Sequence, residues 1–136
     1  MEGSITGFAC GVFDLYHPGH VLMLEECKAH CDHLIVALNR AENLPSHKNP
    51  PILTLAERKM VLSSTHLVDE LLDYNSEEEL YELMKSLPID VRFLGEDYRG
   101  KEITGPDLPL KIHYIDRSHG YSTSGLIDRI KAVHCK

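Results

Sequence analysis

Residues 5–20 read Ile5-Thr6-Gly7-Phe8-Ala9-Cys10-Gly11-Val12-Phe13-Asp14-Leu15-Tyr16-His17-Pro18-Gly19-His20, and they carry an apolar run through a turn into the start of a helix. Ile5 to Gly11 has the form of a buried strand that ends in a tight turn at glycine. From Gly19 to His30, the apolar residues Val21, Leu22, Leu24 and Cys27 recur at helical spacing, with Cys31 just beyond and Glu25, Glu26 and Lys28 on the opposite side. Pro18 suits the first turn of that helix, where a missing N–H costs nothing. His33 to Asn39 (HLIVALN) is rich in β-branched residues and leucine, as in a strand covered on both faces. Strand, helix and strand in this order make a βαβ unit.

Outward from that unit the alternation continues. Residues 40–53 carry Asn43, Pro45, Ser46, Asn49, Pro50 and Pro51 without periodicity, a loop long enough for a compact domain to suggest function. Thr54-Leu55-Ala56-Glu57 matches a capping box for a helix running to about Ser64. Val68 to Tyr74 reads as a short strand. Ser76-Glu77-Glu78-Glu79 opens a helix with Leu80, Leu83, Met84 and Leu87 on its apolar face, and Pro88 ends it. Asp90 to Leu94 reads as a strand, Gly95 to Pro109 as a loop, and Lys111 to Asp116 as the last strand. A final helix begins near Ser122 and carries Leu126, Ile127, Ile130 and Val133. The expected architecture is α/β: one Rossmann-like domain over residues 1–136, with a mostly parallel sheet and helices on both faces. Ligands then belong at the carboxyl ends of the strands, near the point where strand order reverses.

With 136 residues, 43% of them hydrophobic, the chain suits one compact domain with a single core. Its net charge of -7 argues against nucleic acid or an anionic membrane as partner, because its summed field repels polyphosphate. Any phosphate it binds must meet a locally positive pocket. No stretch approaches the ~20 apolar residues that cross a bilayer, and Met1-Glu2-Gly3-Ser4 begins neither a charged leader nor a long apolar run, so the expected location is the cytoplasm. There, Cys10, Cys27, Cys31 and Cys135 are expected as free thiols. Cys27 and Cys31, with His30 and His33 close by, raise a metal site as an alternative, but the spacing lacks a second ligand pair and small buried residues are the plainer account.

The segment Gly11 to His20 sets two histidines three apart across a helix N-terminus. Free N–H groups and the positive dipole end suit a phosphate there, and Gly19 lets backbone and ligand approach closely. Two imidazoles at that place can donate hydrogen bonds to a phosphate whose charge grows during transfer. Arg117-Ser118-His119-Gly120-Tyr121-Ser122-Thr123-Ser124 offers a second anion site, made of a guanidinium, a glycine and a run of hydroxyls at another helix start. Taken alone, H-x-x-H also occurs in metal pairs, and S-T-S is simply a good cap.

Taken together, G-x-F-D-x-x-H-x-G-H after a buried strand resembles the HxGH signature of the nucleotidyltransferase superfamily related to class I aminoacyl-tRNA synthetases. Residues 117–124 resemble the R-T-x-G-I-S-T-T signature of cytidylyltransferases. Ala56-Glu57-Arg58 resembles the E-R or H-R pair whose arginine binds triphosphate, and Gly95-Glu96-Asp97-Tyr98-Arg99-Gly100-Lys101 resembles a G-D-D-W-x-G-K loop. These segments span nearly the whole sequence in order, and the family they most resemble is the glycerol-3-phosphate cytidylyltransferases. The resemblance implies transfer of CMP from CTP to a phosphorylated small alcohol, with release of pyrophosphate. It implies His17, His20, Lys48 and Arg117 as catalytic residues. The nucleotide would be held by Gly11, Val12, Phe13, Asp14, Gly19, Arg58, Gly95, Asp97, Arg117, Gly120, Tyr121, Ser122 and Thr123. Mg²⁺ would accompany it, approached by Asp14 or Asp97, and the family suggests a homodimer.

The chain departs from that family at four places. Val12 stands where the family has threonine in G-T-F-D, and His47-Lys48-Asn49 keeps one fixed positive charge, shifted by a residue, where the family has lysines. Glu77 replaces a tryptophan at the third helix, and His66 replaces an arginine after the second. The acceptor is therefore open: glycerol-3-phosphate, or a related polyol or amino-alcohol phosphate. Two alternatives remain, an adenylyltransferase using ATP on a sugar phosphate or other phosphorylated acceptor, and a catalytically silent nucleotide-binding regulator.

Overall fold

A computed structural model describes residues 3–42, 44 and 49–135. The elements follow in the order β1 (Thr6–Gly11), α1 (Pro18–Ala29), β2 (His33–Asn39), α2 (Leu55–Ser63), β3 (Glu70–Tyr74), α3 (Glu77–Ser86), β4 (Val91–Gly95), β5 (Lys111–Ile115) and α4 (Thr123–His134), with a 3-10 turn at Glu96–Tyr98. The loop expected after β2 is described only in part; Asn43, Pro45, Ser46, His47 and Lys48 lie outside the described residues.

The strands form one sheet in the order β3-β2-β1-β4-β5, parallel at every pairing. Alternation along β1 and β2 divides their side chains between two cores. Ala9, Leu34, Val36 and Leu38 face Leu24 and Cys27 of α1 and Leu62 of α2. Phe8, Ile35 and Ala37 face Leu80 and Met84 of α3. Both faces are thus covered, which is why β2 reads as an unbroken apolar run. The chain builds β1, β2 and β3 toward one edge, then crosses back to set β4 on the other side of β1. The reversal leaves a crevice at the carboxyl ends of β1 and β4.

Capping residues act where the sequence places them. Thr54 Oγ1 accepts the Glu57 N–H at 3.1 Å while the Glu57 carboxylate accepts the Thr54 N–H at 2.9 Å, starting α2. Ser76 Oγ accepts the Glu79 N–H at 3.1 Å to start α3. The last helix differs from expectation in its packing. Ser122 caps it as expected, yet no residue of α4 is buried, and Ile130 and Val133 are exposed. Leu126 and Ile127 are half-buried, so only the first part of the apolar stripe is covered by the described chain.

Cys27 is part of the core under α1, and the Cys31 thiol donates to the Cys27 carbonyl at 3.2 Å. His33 lies beside Glu70 on the neighbouring strand. The four residues weighed as metal ligands do not converge, and no group of three or more such side chains able to hold an ion occurs among the described residues.

Candidate active site

The turn between β1 and α1 is built under strain. Phe13 and Leu15 adopt φ of 53° and 52°, left-handed backbone that a non-glycine residue holds at a cost of about 1–3 kcal/mol. Two contacts impose it. The Phe13 ring is buried in the first core, against Gly11. The Asp14 carboxylate accepts the backbone N–H groups of Ile52 at 2.7 Å and Leu53 at 2.9 Å. The chain then enters α1 at a fixed angle.

The two histidines cap that helix reciprocally. Gly19 N–H donates to His17 Nδ1 at 3.0 Å, and His17 N–H donates to His20 Nδ1 at 3.2 Å. Each Nδ1 accepts a hydrogen bond, so each neutral ring must carry its proton on Nε2. His17 Nε2–H therefore donates to Thr123 Oγ1 at 3.1 Å, and Thr123 Oγ1 donates onward to the Asp14 carbonyl at 3.4 Å. His20 Nε2–H has no protein acceptor among the described residues. The rings stack with centroids 3.9 Å apart, and Tyr16 also stacks with His20, its centroid 5.8 Å away.

Burial, then the neighbouring His17 and Arg117, push His20 down to about 4. Burial, then Arg117 and His119, lower His17 as well. Both rings are neutral at pH 7 and act as hydrogen-bond donors rather than as cations. The sign of the pH effect follows from which state takes up protons first. Unfolded imidazoles protonate below about pH 6.5, while folded His20 does so only near 4. The unfolded state thus binds more protons in that window, and stability falls as pH falls through it. The denaturant midpoint is expected to be lower at pH 5 than at pH 7, with a smaller difference in His20→Gln.

Gly19 is required by contact. A Cβ there would lie 2.8 Å from His17 Cε1 and 3.0 Å from the Cβ of Tyr121. Neither neighbour is the free end of a flexible chain, so Gly19→Ala is expected to displace the His17 ring and lower turnover at least ~100-fold, since small misplacements of catalytic groups cost that much. A rate assay beside circular dichroism checks it; normal turnover would show that the His17 position is not critical.

The other strands bring their own groups to the same edge. Arg117 follows β5, and its Nη1 lies 3.7 Å from Asp97 Oδ1, which follows β4. They meet over Gly95, where a Cβ would fall 2.5 Å from Asp97 Oδ1 and 3.3 Å from Arg117 Nη1. Gly120 (φ 78°) turns the chain into the Ser122 cap of α4. Beside His17 opens a hollow of about 500 Å³ lined by Tyr16, His17, Pro18, Val21, Leu22 and Tyr121.

One residue expected at the triphosphate is engaged elsewhere. Arg58 is 2% exposed. Its Nε donates to the Leu53 carbonyl, Nη1 to the carbonyls of Val12 at 3.0 Å and Asn39 at 2.7 Å, and Nη2 to that of Arg40. The guanidinium ties the ends of β1 and β2 to the start of α2, and four of its five donors are spent on backbone. In this arrangement the side chain acts as a clamp between the β1, β2 and α2 ends, with one donor left over. Both oxygens of Asp14, the other residue expected near Mg²⁺ besides Asp97, hold the backbone of Ile52 and Leu53. Lys48 lies outside the described residues.

The structure also reveals residues that spacing did not single out. Glu26 accepts His113 Nε2–H at 2.8 Å and the Asp116 N–H at 3.2 Å, fixing the end of β5 immediately before Arg117. Arg92, inside the apolar strand β4, is buried. An arginine in a buried strand was the one available signal for it.

A family model described as cytidylyltransferase-like matches residues 8–127. Among curated proteins, the chain is 38% identical over 132 residues to the bifunctional protein HldE of Wolinella succinogenes, covering 96% of this chain and 28% of that protein. It is 37% identical over 137 residues to HldE of Caulobacter vibrioides, with the same coverage of 96% and 28%. The chain thus spans less than a third of the length of these relatives. Among solved structures, the lipopolysaccharide core biosynthesis protein from Thermoplasma volcanium superposes with a TM-score of 0.70 at 28% identity, over 83% of this chain and 97% of that one. Pantoate-beta-alanine ligase from Francisella tularensis shares the fold, with a TM-score of 0.55 at 17% identity, over 96% of this chain and 70% of that one.

Proposed function

Since this chain belongs to the cytidylyltransferase-like family, we propose that it is a nucleotidyltransferase that moves an adenylyl group from ATP to a sugar phosphate. The observation that carries the reading is the reciprocal histidine cap, which leaves the Nε2–H of His20 without a protein acceptor among the described residues. An acceptor phosphate oxygen attacks the α-phosphate in line. A new P–O bond forms as the bond to the β-phosphate breaks, and its electron pair leaves with pyrophosphate. Charge grows on the α-phosphate oxygens and the leaving group, and a donor held beforehand in that position stabilises it without reorganisation. Arg117, Gly120 and the α4 start receive the β- and γ-phosphates. The aromatic and aliphatic walls of the hollow beside His17 suit a nucleobase. Lys48 stays in this reading on the resemblance alone. Mg²⁺ belongs in this reading as a companion of the nucleotide, and no step is assigned to it.

The choice of base and acceptor is supported by the relatives rather than by the pocket. They are HldE proteins and a lipopolysaccharide core biosynthesis protein, not glycerol-phosphate enzymes, and this favours adenylyl transfer to a sugar phosphate over the cytidylyl reading that the motifs suggest. The departures at Val12, His66 and Glu77 agree with a changed substrate. The test is pyrophosphate release from ATP and from CTP with a panel of sugar phosphates, glycerol-3-phosphate and phosphocholine. Turnover is expected with ATP and a sugar phosphate. Turnover with CTP and glycerol-3-phosphate alone would return the assignment to the cytidylyltransferases.

A further inference from the structure

β5 is an edge strand of the sheet, paired with β4 on one side, and the ladder between them ends at Gly95 and Ile115. The next residues, Asp116, Arg117 and Ser118, therefore leave the sheet with their backbone groups still in need of partners. Helix α1 supplies one of these. Glu26 Oε1 accepts the Asp116 N–H at 3.2 Å, and Glu26 Oε2 accepts His113 Nε2–H at 2.8 Å. The two side chains are 28% and 25% exposed, so the carboxylate is screened less than one at the open surface. Its partner is held in turn. The His113 ring packs against His30 at 4.1 Å and Phe93 at 5.6 Å between centroids, and His30 Nδ1–H donates to the Glu26 carbonyl at 2.9 Å.

Just downstream, the Asp116 carboxylate accepts the Ser118 N–H at 3.0 Å and the Ser118 hydroxyl at 2.9 Å. Arg117 is the residue enclosed by these two anchors. Glu26 stands on the helix that carries His17 and His20 at its start, about 9 Å further along the axis than His20. The same rigid element thus holds the histidines and the backbone beside Arg117. We propose that Glu26 is a positioning residue: it ties Arg117 to the helix of the two histidines and so sets the spacing between groups that one triphosphate must reach together. The nucleotide as ligand rests on the function proposed above; the ordering of residues 116–118 by Glu26 does not.

Two measurements test these parts separately. Calorimetry with ATP reads the first, and Glu26→Ala is expected to weaken binding about tenfold, as when one hydrogen bond to a charged group is lost. In an Arg117→Ala background the same change should have almost no further effect, because Glu26 acts through Arg117. Glu26→Gln should restore most of the affinity, since its amide oxygen still accepts the Asp116 N–H and its NH2 group can face His113 in the other tautomer. Equal losses in both backgrounds, or unchanged affinity in folded Glu26→Ala, would overturn the proposal. Should Glu26→Ala not fold, Glu26→Asp, whose carboxylate falls one methylene short, carries the same cycle. The second measurement needs no ligand. Backbone order parameters at Arg117 and Ser118 are expected to fall from about 0.85 to below about 0.6 in Glu26→Ala, with those of β1 unchanged. Rigid values retained there would remove the ordering role. If the unmodified protein bound no ATP, the nucleotidyltransferase reading would fail, and the order parameters would still decide whether Glu26 holds this segment.

Discussion

His20→Ala is expected to lower kcat by about 10²- to 10³-fold, the usual consequence of removing one preorganised donor to developing charge. The same change removes an N-terminal cap, because His20 Nδ1 accepts the His17 N–H, and losing a cap costs about 1 kcal/mol. The two effects separate in His20→Gln. Glutamine at this third helical position is a natural capping-box acceptor, so stability should be retained while the rate stays low for want of the imidazole. His17→Ala is expected to lose at least as much activity, since it removes both the Gly19 acceptor and the bond that aims Thr123. Turnover near normal in folded His20→Gln would reduce the histidine pair to a helix cap. Steady-state rates beside urea unfolding decide the matter.

Arg58→Ala is expected to act on the fold rather than on nucleotide affinity. It would leave the carbonyls of Val12, Asn39, Arg40 and Leu53 to find new partners in a buried setting, at about 1–3 kcal/mol for each one that stays unsatisfied. A loss of about 3 kcal/mol or more is the expected outcome of chemical denaturation. In Arg58→Lys, which keeps the charge, part of that stability should return with little change in KM for the nucleotide. Arg117→Ala should behave in the opposite way, with a raised KM and an almost unchanged unfolding midpoint, because that side chain is about half exposed. If folded Arg58→Lys instead raised the nucleotide KM tenfold, the role of triphosphate ligand would be restored to it.

The contrast between Arg58 and Arg92 shows where spacing stops being informative. Arg58 sits in a motif whose arginine is expected to bind triphosphate, yet folding brings four backbone carbonyls around it. Arg92 sits in no motif, yet folding buries it without a counter-charge. A local pattern registers that a guanidinium is present at a position. Which acceptors surround it depends on strands that are far away in the chain. Gly19 was legible in part, since close approach suggested a glycine, but the obstacles, His17 Cε1 and Tyr121 Cβ, come from the turn before it and from a segment about a hundred residues later. The Glu26 to His113 bond joins α1 to β5, and no periodicity could have shown it.

By itself the sequence determined the α/β class, the order of the elements and the capping residues of α2, α3 and α4. These depend on interactions within a few residues: alternation, helical spacing, caps and turns. Only the tertiary structure decided the strand order β3-β2-β1-β4-β5, the clamp at Arg58, the exposure of Ile130 and Val133 on α4 and the proton positions on His17 and His20. Each of these is a matter of which distant groups meet, and above all of which buried polar atoms are given a partner. That is settled when the sheet closes and water is excluded, because an unpaired polar group becomes costly only then.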